Sequence, residues 1–156
     1  MNPQPITVND QVSKKDGMIA NSFLQWLQWL VGLVMRAPVR MTPDVNLTAQ
    51  AASIAATDLA PVQYSGVYRI SHFLHITRAA TTSSSVQLVV SFVSDGTTLT
   101  NTSTAVTGNT TTTFQTGSIL VYIDGGTTPS FTVTYASVGA TSAQYRLTLL
   151  LELCNA

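Results

Sequence analysis

Residues 66–92, GVYRISHFLHITRAATTSSSVQLVVSF, decide how the chain is read. The first half alternates: Tyr68, Ile70, Leu74 and Ile76 fall on one face, and Arg69, Ser71, His75 and Thr77 on the other. A side-chain period of two marks a half-buried strand, because successive residues of a pleated chain point to opposite faces. Val86, Leu88, Val90 and Phe92 repeat the pattern. Between the halves, Ala79 to Ser85 is small and polar and reads as the link between two antiparallel strands. The pair is expected at the centre of a β-sandwich.

Working outward, the same period recurs. Val45 to Leu59 reads as one extended run closed by Pro61, with a shift of face at Ser53-Ile54. Asp95-Gly96 and Asp124-Gly125 follow apolar runs and signal turns, since glycine takes the positive φ of tight turns without strain. Residues 97–113 are nearly all Thr, Ser, Asn, Ala and Val, so exposed edge strands and loops are expected there. Three more strands are expected over 114–124, 130–136 and 143–154. Phe131, Val133 and Tyr135 form one apolar face, and Tyr145, Leu147, Leu149, Leu151 and Leu153 another. Leu150 lies opposite these and predicts a central strand covered on both sides. Seven or eight strands with no helix between them predict a mainly β, antiparallel, jelly-roll-like sandwich over 44–156.

Ahead of it, residues 1–43 predict an extended arm, one α-helix and a proline-bearing linker. Ile19, Phe23, Trp26, Leu27, Leu30 and Val34 follow helical spacing within 18–35. Asp16 is the expected N-cap, and Pro38 ends the pattern. A membrane span needs about 20 apolar residues, and here Asn21, Gln25, Gln28 and Gly32 interrupt. A signal peptide would put its positive charges first and end on an A-x-A-like site. The remaining reading is an anchor helix whose six apolar positions bury against other chains.

Composition bounds the function. Of 156 residues only 9% are charged, and the formal net charge is zero. A soluble domain ordinarily carries roughly 25%. No basic field attracts nucleic acid, and Arg69, Arg78 and Arg146 stand apart. Such a surface suits a protein packed against copies of itself or other chains. Cys154 is alone, excludes an intrachain disulfide and is expected to be a buried, inert thiol.

The strings SGVYRISHFLHITRAATTSSSVQLVVSF and AVTGNTTTTFQTGSILVYIDGGTTPSFTVTYASVGATSAQYRLTLLLE resemble a β-domain recurring in tailed-bacteriophage virion proteins. The likeness rests on Gly66, Tyr68, Arg69 and Ser71, on Ala79 to Ser85, on Thr134 to Gly139, and on Gln144, Tyr145 and Leu147. It covers roughly residues 45–154. The resemblance implies a jelly roll of the tumour-necrosis-factor type, usually trimeric.

No catalytic motif accompanies these strands: G-x-S-x-G, H-E-x-x-H, a phosphate loop and a cysteine pair are all missing. His72 and His75, three apart on a strand, face opposite ways and cannot chelate one metal together. His72 interrupts an apolar face, which suits a core residue or one at a threefold axis. Asp95 and Asp124 are the one acidic pair that falls on loops, with turn formation their expected role. Asn46, Asn101 and Asn109 match the glycosylation pattern as a threonine-rich chain does by chance. The expectation is a non-enzymatic virion structural protein without cofactor or metal. It would be a homotrimer decorating a capsid or forming a head spike, and would contact other virion proteins such as the major capsid protein, but neither nucleic acid nor membrane. The alternative is a tail-associated receptor-binding or carbohydrate-binding module. Most of the twelve aromatics fall on predicted core faces or in the helix, which weighs against exposed stacking platforms.

Overall fold

The computed structural model describes residues 21–34 and 38–155, which fall into two compact units dividing between Pro38 and Val39. The first contains α1 (Asn21–Val34). Trp26, Leu27 and Leu30 are half-buried there, whereas Gln25 and Gln28 are exposed and Leu24 and Trp29 are each 41% exposed. Asp16 and Ile19 lie outside the described residues, as do the side chains of Phe23 and Val34. Among the described residues no helix is long and apolar enough to cross a membrane.

The second unit is the expected antiparallel sandwich. Its strands are β1 (Val39–Gln50), β2 (Ile54–Asp58), β3 (Gly66–Arg78), β4 (Ser83–Ser94), β5 (Thr97–Thr102), β6 (Val106–Thr107), β7 (Phe114–Ile123), β8 (Ser130–Val138) and β9 (Gln144–Asn155). One sheet runs β1-β9-β3-β7 and the other β2-β8-β4-β5, with β6 also pairing with β4. The strand faces are those the alternation predicted: Tyr68, Ile70, Leu74 and Ile76 pack with Val86, Leu88, Val90 and Phe92 in one core, joined by Phe131, Val133, Tyr145, Leu147 and Leu149.

The pairing differs from expectation. β3 and β4 are not neighbours: β3 lies between β9 and β7, and β4 between β8 and β5. Residues 79–82 therefore carry the chain from one sheet to the other, and the two apolar faces meet across the core. Period two fixes which side chains share a face and says nothing of which strand supplies the backbone partners. The run 45–59 is likewise two strands, β1 and β2, at edges of different sheets. Residues 39–43, expected as linker, begin β1, with Val39, Arg40 and Met41 opposite Leu153, Glu152 and Leu151. Pro43 falls where the register shifts between Met41 and Val45, as suits a residue with no amide hydrogen on an edge strand.

Two turns show why their sequences were informative. Asp95 and Gly96 have φ of 50° and 71°, the two positive values a tight primed hairpin needs between β4 and β5. After β7 the positive φ, 78°, belongs to Gly126 and not to Gly125. Gly125 is required for another reason: a Cβ there would lie 2.8 Å from Ser65 N and 2.9 Å from Gln63 O. That close approach lets the 125–129 loop bond the segment before β3, through Val62 N to Thr127 O (2.9 Å) and Gly126 N to Val62 O (2.7 Å).

Candidate functional site

In sheet β1-β9-β3-β7 the ladder places Val67 opposite Tyr122, Arg69 opposite Leu120, Ser71 opposite Ser118, Phe73 opposite Thr116 and His75 opposite Phe114. All of these face away from the core. Leu120 is 67% exposed, Phe114 60%, Tyr122 46%, Phe73 38% and Val67 36%. On β9, Leu150 pairs with Ser71 and is half-buried on the same face. Leu150 is thus on a central strand, as expected, but no second layer of the described residues covers it. The result is an apolar face on a sheet whose other face is already core.

Its polar groups are paired within the face. Arg69 holds Glu152 through Nη2 (2.7 Å) and Nε (2.8 Å). The Glu152 hydrogen bond and charge raise the Arg69 guanidinium pKa further above its ordinary value. Ser71 donates to Ser118 at 3.3 Å, and His75 Nε2 lies 2.9 Å from Thr111 O. The Phe73 ring sits 6.1 Å from Phe114 and 6.0 Å from His75, inside the range of aromatic pairs. Beside it, Ser71, Thr116, Thr148 and Leu150 edge a hollow of about 200 Å³. Most aromatics outside the helix do lie in or against the core, as expected, but Phe73, Phe114 and Tyr122 stand exposed together on this face. Phe73 and Tyr122 occupy the polar phase of their alternation, a signal the sequence carried.

The opposite outer face is different. Gln87, Val89 and Ser91 of β4 lie beside Thr134, Thr132 and Ser130 of β8, and Ser91 and Val89 also face Thr100 and Thr102 of β5. It is rich in hydroxyls, interrupted by Val89, Val93 and the exposed Val138, with no charged side chain on β4, β5 or β8.

The remaining candidates resolve into structural roles. Asp95 and Asp124 do meet, but the Asp124 carboxylate accepts from Asp95 N (3.2 Å) and Gly96 N (2.8 Å) and so clamps the β4–β5 turn. Asn109 accepts from Ser84 N (3.1 Å) and donates to Thr82 O (3.2 Å), tying its loop to β4. A cleft of about 450 Å³ separates edge strands β1 and β2, lined in part by Asp44, Asn46, Gln50 and Thr57. Its polar groups already have partners: Arg40 pairs with Asp44, Arg146 donates to Asn46 (3.2 Å), Gln50 to Thr48 O (3.0 Å) and Thr57 to Ala55 O (2.9 Å). Cys154 is half-buried, not buried as expected. Among the described residues no three His, Cys, Asp or Glu side chains converge to hold a metal.

His72 points inward. It lies opposite Gly117 on the core side of β3, so it does not sit on the exposed face where an axial role would put it. Burial lowers its pKa below the usual histidine value. Tyr145, also in the core, donates to Ala52 O at 2.8 Å, and its pKa is pushed up to about 12, chiefly by burial.

No protein-family model matches the chain, and no curated protein matches it in sequence. Among solved structures, the EclA C-terminal domain, a sugar-binding protein, is similar at 15% identity over 70% of this chain and 77% of that one, with a TM-score of 0.43. PRD1 vertex protein P5 is similar at 15% identity over 76% of this chain and 99% of that one, also at 0.43. The TNF Eiger from S. frugiperda is similar at 10% identity over 76% and 91%, with a TM-score of 0.35.

Proposed function

We propose that this chain is a non-enzymatic structural protein of a bacteriophage particle, a homotrimer serving as capsid decoration or head spike. Residues before the sandwich anchor it to other virion proteins. The observation that carries the reading is the apolar outer face of β1-β9-β3-β7. Monomeric soluble proteins rarely leave a contiguous apolar patch beyond a few hundred Å² uncovered. Val67, Phe73, Phe114, Leu120, Tyr122 and Leu150 on one sheet face are therefore read as contact surface for copies of the chain. The sequence likeness of residues 66–92 and 134–147 to phage virion β-domains supports the same reading. Along the helix, Ile19, Phe23, Trp26, Leu27, Leu30 and Val34 supply the anchor.

Light scattering of the full chain tests the assembly. A trimer is expected for the wild type and a folded monomer for Leu120→Glu. A wild-type monomer with an intact sandwich in dilute solution would overturn it. A chain begun at Val39 should fold yet fail to bind particles, and Trp26→Ala should weaken binding where Gln25→Ala does not. Density for the protein in an electron-microscopy map of the particle decides between capsid and tail.

One observation favours a second reading, a receptor-binding or carbohydrate-binding module. Phe73 and Phe114 form an exposed aromatic pair bordered by Ser71, Thr116 and Thr148, groups able to stack on and hydrogen-bond a sugar ring. Under it the wild type stays monomeric and Phe73→Ala abolishes glycan retention.

A further inference from the structure

His72 is the histidine that the apolar alternation of β3 does not explain. Its ring packs against Gly117: a Cβ on that glycine would stand 2.4 Å from His72 Cε1 and 3.1 Å from Nε2. Any side chain larger than hydrogen at 117 would displace the ring, so the pair fixes where the imidazole points. It points Nε2 into the interior, where that nitrogen is buried and has no hydrogen-bond partner among the described residues. Buried ring nitrogens are nearly always paired, with protein or with ordered water.

His72 borders a hollow of about 10 Å³, lined also by Ile70, Leu88, Val90 and Ile119 and by the polar residues Asn101 and Ser103. Both sheets contribute to it. Asn101 lies opposite Val90 and so turns toward the core side of edge strand β5. Ser103 Oγ accepts from Leu88 N at 3.1 Å and donates to Thr104 O at 3.2 Å, which leaves it one lone pair. A space of this size admits one water molecule, and a water is held where two to four polar groups converge. No carboxylate or thiolate lines the hollow, so it offers nothing to balance a cation.

We infer that this hollow is a structural-water site, in which one water bonded to His72 Nε2, the Asn101 side chain and Ser103 Oγ joins the two sheets. With neutral His72, the water donates to Nε2 or accepts from Nε2–H according to tautomer, and the Asn101 amide supplies the complementary partner. Ser103, already holding Leu88 N, links the water to the β4 backbone. The site explains why a strand otherwise apolar on its inner face carries histidine at 72 with glycine opposite.

High-resolution crystal structures of the full chain and magnetic relaxation dispersion of its water test the site. The wild type should show a water within hydrogen-bond distance of Nε2 and the Asn101 side chain. His72→Leu should lose that density and one long-lived water. Asn101→Ala, an exposed substitution on an edge strand, should lose the long-lived water with the fold intact, so the test stands even if His72→Leu does not fold. A dry hollow in the wild type would overturn the inference. So would direct bonding of the Asn101 amide to Nε2, or a long-lived water count that neither substitution changes.

Discussion

The two sheets share one core and differ on their outer faces. β1-β9-β3-β7 turns out Phe73, Phe114, Leu120 and Tyr122 around an Arg69–Glu152 pair, whereas the other sheet turns out mainly serines, threonines and a glutamine, with Val89, Val93 and Val138 but no aromatic ring on β4, β5 or β8 among them. The edges differ too. β1 carries Arg40, Pro43, Asp44 and two register shifts, devices that discourage another strand from pairing with it. β7 runs for ten residues with no charge and no register shift. Hydroxyls solvate a face, and exposed aromatic and aliphatic groups do not, so on the proposed reading the β1-β9-β3-β7 face is the one that a neighbouring copy covers.

If the sheets differ only outside, truncations inside should cost alike. Leu149→Ala on β9 and Leu88→Ala on β4 remove side chains that are each 1% exposed, and each should destabilise the fold by about 2–5 kcal/mol in urea unfolding. A much smaller loss in one sheet would mean that its inner face is not equally packed.

The outer faces should then diverge. Leu120→Glu is expected to weaken self-association more than tenfold, or about 1.4 kcal/mol, by sedimentation, while Thr100→Glu on the other sheet leaves it unchanged. Equal effects would break the contrast between the faces.

The core's titratable groups sharpen it further. The pKa of His72 is depressed by burial, so its contribution to stability is present above the unfolded value of about 6.5 and is lost as pH falls through the lower folded value. Tyr145 is the reverse case: its pKa is raised, so stability holds below the unfolded value of about 10 and is lost as pH rises through about 12. Thermal unfolding across pH should show both losses, and His72→Leu should flatten the acid limb alone. The smallest effect belongs to the hydroxyl face: Thr100→Val should change stability by no more than about 0.5 kcal/mol.

Much of this was legible in the sequence because strand faces are a local property. The alternation of Tyr68 to Ile76, Val86 to Phe92 and Tyr145 to Leu153 named most of the core, and Asp95-Gly96 marked its hairpin, since both follow from backbone geometry within a few residues. Ladder partners, in contrast, are chosen by the whole chain. The sequence alone did not say that residues 79–82 cross between sheets, that 45–59 is two strands, or that β1 starts at Val39. The alternation already put His72 on the inner face and His75 on the outer, but only the β3–β7 register sets Gly117 opposite His72, and only the packing of the sheets closes a hollow there with β4 and β5. Phe73 and Tyr122 were written into the polar phase of their strands. That they, Leu120 and Phe114 form one surface was settled by the β3–β7 register, which tertiary structure alone supplies.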